Sequence, residues 1–152
     1  MAEYNIHIEG YWSDENRSGL PDKHGIYFVY RGVPNGNTSA DMKELIYIGK
    51  ADDETFKERH YKKEHERHQD FLNCCASGEK VYYAYAEVEN RNINAIENAF
   101  IYVEKPRLNK ELKYDYKYGD ITIQTTGYNT CMEHTYFLIS KGNIADIEEV
   151  DM

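Results

Sequence analysis

Glu97 is the residue whose type and setting most demand an explanation. It stands beside Ile96, Phe100 and Ile101, on or next to the face of a helix that should be buried. A carboxylate there is costly unless it is hydrogen-bonded or holds a metal ion. The competing reading is a capping box, with Asn94 as N-cap and Glu97 three residues on. Two tyrosines sit in short apolar runs: Tyr27 in GIYFVY, from Gly25, and Tyr47 in LIYIG, from Leu45. Side by side on paired strands, two phenols are either packing or one wall of a site. Arg59, Lys50 directly after Gly49, and Asn109 after a helix stop each read, taken singly, as ordinary solvated residues. His60, His65 and His68 share one segment, and His65 and His68 have a spacing that suits either a metal pair or polar surface. The chain contains no GxxxxGK[ST], GxGxxG, HExxH or GxSxG pattern.

Those residues need elements to position them. Residues 25–30 and 45–49 are β-like and are joined by a stretch rich in Gly, Pro and Asn, which predicts a β-hairpin with a long loop over 31–44. The hairpin would bring Tyr27 and Tyr47 together on adjacent strands. Tyr4-Asn5-Ile6-His7-Ile8 alternates and predicts a short strand in front. Residues 56–72 lack Gly and Pro and are rich in Lys, Glu and Arg, which predicts a helix with Asp53 or Thr55 as N-cap. Residues 80–88, KVYYAYAEV, predict a third strand. A second helix is predicted over 93–104, where Ile93, Ile96, Phe100 and Val103 keep helical spacing and Pro106 stops it. Residues 112–120 read as an exposed strand or a loop. Residues 121–126 and 135–140 predict a C-terminal hairpin, and the acidic tail from Ile144 is expected to fray. The architecture expected is α+β, a sheet with helices against one face.

The length of 152 residues suits a single domain. No apolar stretch approaches the roughly 20 residues that cross a bilayer, so no transmembrane helix and no membrane partner are expected. The first residues, MAEYNIHIEGYW, lack a basic start followed by an apolar block, so no signal peptide is expected and the location follows as cytoplasmic. The three cysteines, Cys74, Cys75 and Cys131, form no CxxC pair and suit reduced thiols. The net charge of −9 argues against a broad grip on nucleic acid. A basic patch at Lys57, Arg59, Lys62, Lys63 and Arg67 is nevertheless enough to touch a phosphate backbone. The 15 tyrosines are either core filling or platforms for bases.

Taken together, these residues resemble the GIY-YIG nuclease family. Gly25-Ile26-Tyr27 and Tyr47-Ile48-Gly49 match its two name-giving triplets, Arg59 is similar to its arginine, and Glu97 to its metal-binding glutamate. Pro106-x-x-Asn109 resembles its closing motif and Lys50 the lysine that often follows the second triplet. The resemblance covers residues 24–110 and leaves 111–152 as a C-terminal extension without a counterpart. It implies a three-stranded antiparallel sheet flanked by helices, here with an added N-terminal strand and C-terminal β-hairpin. It also implies endonucleolytic hydrolysis of phosphodiester bonds, with nucleic acid, DNA first, as partner.

The roles follow from the same resemblance. Glu97 would hold one Mg²⁺ or Mn²⁺. Tyr27 or Tyr47 would help activate the attacking water, with Lys50 assisting, and Arg59 would stabilise phosphoryl charge. Asn109 would brace the site. Gly49 and Gly25 would keep the sheet edge bare where a phosphate approaches. One turn after the arginine, where members carry His or Tyr, this chain has Lys63, with Tyr61, His60 and His65 as alternatives for that role. The alternative function is a catalytically silent domain of the same type that binds nucleic acid or a protein.

Overall fold

A computed structural model of the chain describes residues 2–148. Seven strands form one sheet: β1 (Ala2–Ser13), β2 (Gly25–Asn35), β3 (Ser39–Ala51), β4 (Lys80–Glu87), β5 (Ile121–Gly127), β6 (Tyr136–Ser140) and β7 (Asn143–Asp146). Their order is β3-β2-β4-β1-β5-β6-β7, and the sheet curls into a half-barrel. The helices are α1 (His68–Asn73) and α2 (Asn90–Glu104), with a 3-10 turn at Asp14–Gly19 and a π-type turn at Glu58–Lys62.

This corrects the expected three-stranded sheet flanked by helices. β2 does pair antiparallel with both β3 and β4, but these strands are part of a larger mixed sheet. Strand accounts for 41% against 23% helix, so the sheet carries the fold. The joint is β1. Its first part pairs parallel with β5, from Ala2 opposite Ile121 to Ile8 opposite Gly127. Its last part pairs antiparallel with β4, from Glu9 opposite Tyr85 to Ser13 opposite Tyr82. One strand thereby covers two edges that would otherwise present unpaired backbone.

Burial explains the strand compositions. Every residue from Gly25 to Tyr30 is buried, because β2 is covered on both faces. In β1 and β5 only alternate residues, Ile6 and Ile8, Ile121 and Ile123, are buried, because one face meets solvent. The larger core lies under α2, where Ile93, Ile96 and Phe100 meet Phe28 and Phe137. The smaller core lies on the opposite face, where Phe56 and Phe71 cover Tyr27, Val29, Tyr83 and Tyr85.

Several local expectations change. The strands of the β2–β3 hairpin run on to Asn35 and Ser39, so the long loop shrinks to the turn between them. The helix expected over 56–72 breaks: Lys63 is extended (φ −139, ψ 159) and helix resumes only at His68. Thr55 does cap its start, with the Glu58 N–H donating to Thr55 Oγ1 and the Thr55 N–H to Glu58 Oε1. α2 begins at Asn90, so Asn94 and Glu97 lie inside it and the capping-box reading fails. Residues 112–120 form no strand. The tail does not fray at Ile144, because Asn143–Asp146 pair with β6 as β7; residues 149–152 lie outside the described residues. No described helix is long and apolar enough to cross a membrane.

Candidate active site

The site sits at the free edge of β3, where the two layers on either face of the sheet meet. Tyr27, Tyr47, Gly49, Lys50, Arg59 and Glu97 line one cleft of 260 Å³. Asp52, Asp53 and Glu54 form its acidic rim. Tyr47 and Glu97 also border a second groove of 500 Å³, shared with Glu66, Arg67 and Asn109.

Register sets the tyrosines. Tyr27 is directly opposite Gly49, and Val29 is opposite Tyr47. The rings of Tyr27 and Tyr47 lie 6.2 Å apart, nearly parallel at 28°. Gly49 is a spatial necessity. A Cβ there would stand 2.2 Å from the Tyr27 Oη, so the phenol lies in the space that any side chain would fill. Gly25 has a different reason: a Cβ would meet the Ala86 carbonyl of β4 at 2.0 Å.

Behind Tyr27 stand two imidazoles. His65 Nε2 is 2.7 Å from Tyr27 Oη. The Arg67 backbone N–H donates to His65 Nδ1 at 2.9 Å, so in the neutral ring the proton resides on Nε2. His65 therefore donates to Tyr27, and the phenol's own hydrogen is left to point elsewhere. Burial, followed by the charge of Arg59, lowers the His65 pKa to about 4, which keeps the ring neutral. His60 is buried edge-on to the Tyr27 ring at 4.4 Å and stacks on His65 at 5.2 Å and 8°. Neither His60 ring nitrogen has a partner among the described residues.

Of the three alternatives for the position after Arg59, His65 alone bonds a tyrosine hydroxyl, His60 packs against the ring, and Tyr61 points outward at 53% exposure. The paired-histidine metal reading fails, because His68 turns to Asp14, with Nε2 3.0 Å from Oδ1. Lys63 is not in the cleft lining and pairs with Glu54 at 2.9 Å.

Asn109 acts on backbone. Its Nδ2 donates to the Ile48 carbonyl at 2.8 Å, and its Oδ1 accepts the Ile48 N–H at 3.0 Å. The Leu108 N–H donates to the Ile46 carbonyl. The segment after Pro106 thus closes part of the β3 edge and holds Tyr47 and Gly49 in register. Lys50 is tied to Asn94 Oδ1 at 2.7 Å and to Asp52 at 3.3 Å.

The electrostatics are uneven. Burial raises the Glu97 pKa to about 7, and no hydrogen bond or ion pair reaches its carboxylate from the described residues. Burial pushes Tyr27 well above 10, with the neighbouring Tyr47 adding to the rise and Arg59 opposing it. Hydrogen bonds from Arg59 pull Glu66 down to about 2.

No three described His, Cys, Asp or Glu side chains gather as a metal cage. The donor set is a single half-buried carboxylate with no protein partner. That suits a hard cation whose other ligands are water and substrate oxygen, and it suits no structural zinc.

Glu66 has no signal in the sequence that marks it as part of the site, and Arg67 stands out there only as a member of the basic patch. Arg67 fixes the His65 tautomer and lays its guanidinium 5.4 Å from the centroid of the Tyr47 ring. In an unbroken helix Arg59 and Glu66 would lie about 10 Å apart along the axis. Only the break at Lys63 brings them together, and nothing in the residue pattern announces it.

Compared with protein-family models, with curated proteins and with solved structures, the chain matches none.

Proposed function

We propose that this chain is a metal-dependent endonuclease that hydrolyses phosphodiester bonds, in DNA first, in the manner of GIY-YIG nucleases and in the cytoplasm. The observation that supports it is convergence: Tyr27, Tyr47, Gly49, Lys50, Arg59 and Glu97, separated by up to 70 positions in the chain, line a single cleft.

In this reading Glu97 would hold Mg²⁺ or Mn²⁺, which would supply positive charge beside the phosphate and favour the ionised form of a nearby phenol. Tyr27 is the better base of the two tyrosines. Its oxygen already accepts the His65 Nε2–H, so a phenolate there would be hydrogen-bonded on one side and faced by the Arg59 charge. That phenolate would take the proton of the attacking water as its oxygen bonds to phosphorus and the P–O bond to the leaving oxygen breaks; the leaving oxygen takes a proton from solvent, and Tyr27 returns its own to solvent. His65 positions it and does not itself accept the proton, because its Nε2 already carries one. Arg59 neutralises the phosphoryl oxygens. Tyr47 and Lys50 form the wall and rim along which the strand lies, and Asn109 keeps that edge straight.

The test is cleavage of DNA and RNA oligonucleotides with Mg²⁺ or Mn²⁺. Glu97→Ala and Arg59→Ala are each expected to lower the rate by about 10²–10³-fold or more; retained cleavage in both removes the assignment. Burial raises the Glu97 pKa to about 7, and a bound cation competes with that proton, so cleavage at limiting metal should rise with pH and the midpoint should fall as the metal concentration is raised.

A further inference from the structure

The cation that this reading assigns to the phosphate already has a ligand. Arg59 Nη1 donates to Glu66 Oε2 at 2.8 Å, and Nη2 donates to Glu66 Oε1 at 2.6 Å. Two parallel bonds of this kind are the arrangement in which a guanidinium also grips the two non-bridging oxygens of a phosphodiester. Glu66 therefore occupies the position the substrate would need. A weaker third bond runs from Nη1 to Glu54 Oε1 at 3.4 Å.

The two partners are not equally free to move. The Arg59 side chain is 17% exposed, whereas that of Glu66 is 60% exposed. Arg59 faces the smaller cleft and Glu66 borders the larger groove, so the ion pair stands on the divide between them. Glu66 lies in the non-helical stretch between Lys63 and His68. A largely desolvated guanidinium is costly to leave without an anion. An exposed carboxylate returns to water at little cost. Exchange therefore proceeds by replacement of Glu66, with Arg59 fixed. Glu54 is tethered on its other oxygen by Lys63 at 2.9 Å, which holds it as the lesser partner while the exchange takes place.

Resting on the phosphodiesterase reading for the identity of the substrate, we propose that Glu66, from the neighbouring groove, determines the specificity of Arg59: it stands in for the phosphodiester on the guanidinium, so that a ligand offering two anionic oxygens to both nitrogens displaces it best. A monatomic anion such as chloride offers a single acceptor atom where the carboxylate offers two, so it competes less well for the pair of nitrogens and leaves Glu66 in place. In a chain of net charge −9 with an acidic rim beside the same cleft, this limits Arg59 to ligands that bind at several points.

The experiment uses inorganic phosphate as the probe and the Arg59 side-chain NMR signals of the whole chain as the readout. Glu66→Gln removes the competing charge and keeps an oxygen acceptor; it should bind phosphate at least ~10-fold more tightly than wild type. Glu66→Asp, whose carboxylate sits one methylene further from Arg59, keeps the charge and should shift the same way by less; it also carries the test if the glutamine variant misfolds. The gain should vanish when Arg59→Ala is added. Unchanged or weaker phosphate binding in both Glu66 variants overturns the proposal, as does a gain that survives Arg59→Ala. If both variants gain phosphate affinity but neither they nor wild type cleave DNA or RNA with Mg²⁺ or Mn²⁺, the role of Glu66 stands and the endonuclease reading falls.

Discussion

The two faces of β2 are built on opposite principles. Under α2 the contacts nearest the helix are apolar: Phe28 meets Phe100 edge-on at 5.4 Å, with Ile93 and Ile96 around them, and the polar exception on that face of β2 is the buried Tyr30 hydroxyl, which has no partner among the described residues. On the other face Tyr27 is surrounded by His60, His65 and Tyr47. That layer buries imidazoles in neutral form and leaves both nitrogens of His60 without a partner among the described residues. One face stabilises the molecule, and the other holds a phenol in an environment that shifts its proton equilibria. Such a division is expected where local rules of packing yield to a site.

The comparison is broken most severely by emptying the stabilising face. Phe100 is fully buried between Phe28 and Phe137. Phe100→Ala should cost about 3–5 kcal/mol of unfolding free energy in a urea titration. A loss below about 1 kcal/mol would mean that the α2 core collapses around the gap and is not the main support.

A smaller loss should follow from Gly49→Ala, which acts where the two faces meet. The added methyl would overlap the Tyr27 Oη at 2.2 Å and the Cζ at 2.3 Å, while that ring is enclosed by His60 and His65. About 1–3 kcal/mol of overpacking strain is expected. The same substitution should disturb the Tyr27–His65 hydrogen bond, read as a shift of the His65 ring nitrogen resonances. Unmoved resonances would show that Tyr27 has room that the geometry denies.

What the residues announced in advance divides along the same line. The runs GIYFVY and KVYYAYAEV, and the helical spacing of Ile93, Ile96, Phe100 and Val103, follow from burial and were legible as two strands and a helix. The triplet glycines were expected to keep the sheet edge bare for a phosphate, but the space that they leave is taken by the Tyr27 hydroxyl and by the Ala86 carbonyl of β4. The half-barrel was not legible. It depends on β1 switching from a parallel partner, β5, to an antiparallel one, β4, along a single strand, and no local pattern encodes a partner about 70 to 120 residues away. The break at Lys63 was hidden for the opposite reason. Every residue from Phe56 to Leu72 tolerates a helix, and tertiary contacts of His65 with Tyr27 and of Arg59 with Glu66 override that preference. Hence Tyr27, Tyr47, Arg59 and Glu97 were found as candidates, while Glu66 and the setting of His60 were not.

His60 tests the polar face with the opposite sign. An imidazole whose two nitrogens are buried without partners lowers stability. His60→Leu, close in volume, should therefore raise the unfolding free energy by about 1 kcal/mol, despite losing the stacking on His65. Destabilisation of similar size would show that these nitrogens are bonded in solution, and the contrast between the faces would shrink accordingly.

The finest test is the pH dependence of stability, where two groups of the polar layer oppose each other. The folded His65 has its pKa lowered to about 4 from 6.5, so between those values the unfolded chain binds more protons and stability falls as pH falls. The folded Glu97 has its pKa raised to about 7 from 4.5, so over nearly the same window the folded chain binds more protons and stability falls as pH rises. In wild type the Glu97 slope offsets that of His65 between pH 4.5 and 6.5 and leaves that of buried His60, whose pKa is also lowered well below 6.5, so stability falls as pH falls. Glu97→Gln removes the Glu97 slope. The variant should then gain stability with rising pH across that window, with a slope steeper than wild type by up to about 1 kcal/mol per pH unit. Parallel stability profiles for wild type and variant would mean that Glu97 keeps an ordinary carboxylate pKa, and with it would go the argument that its partnerless carboxylate is built for a cation.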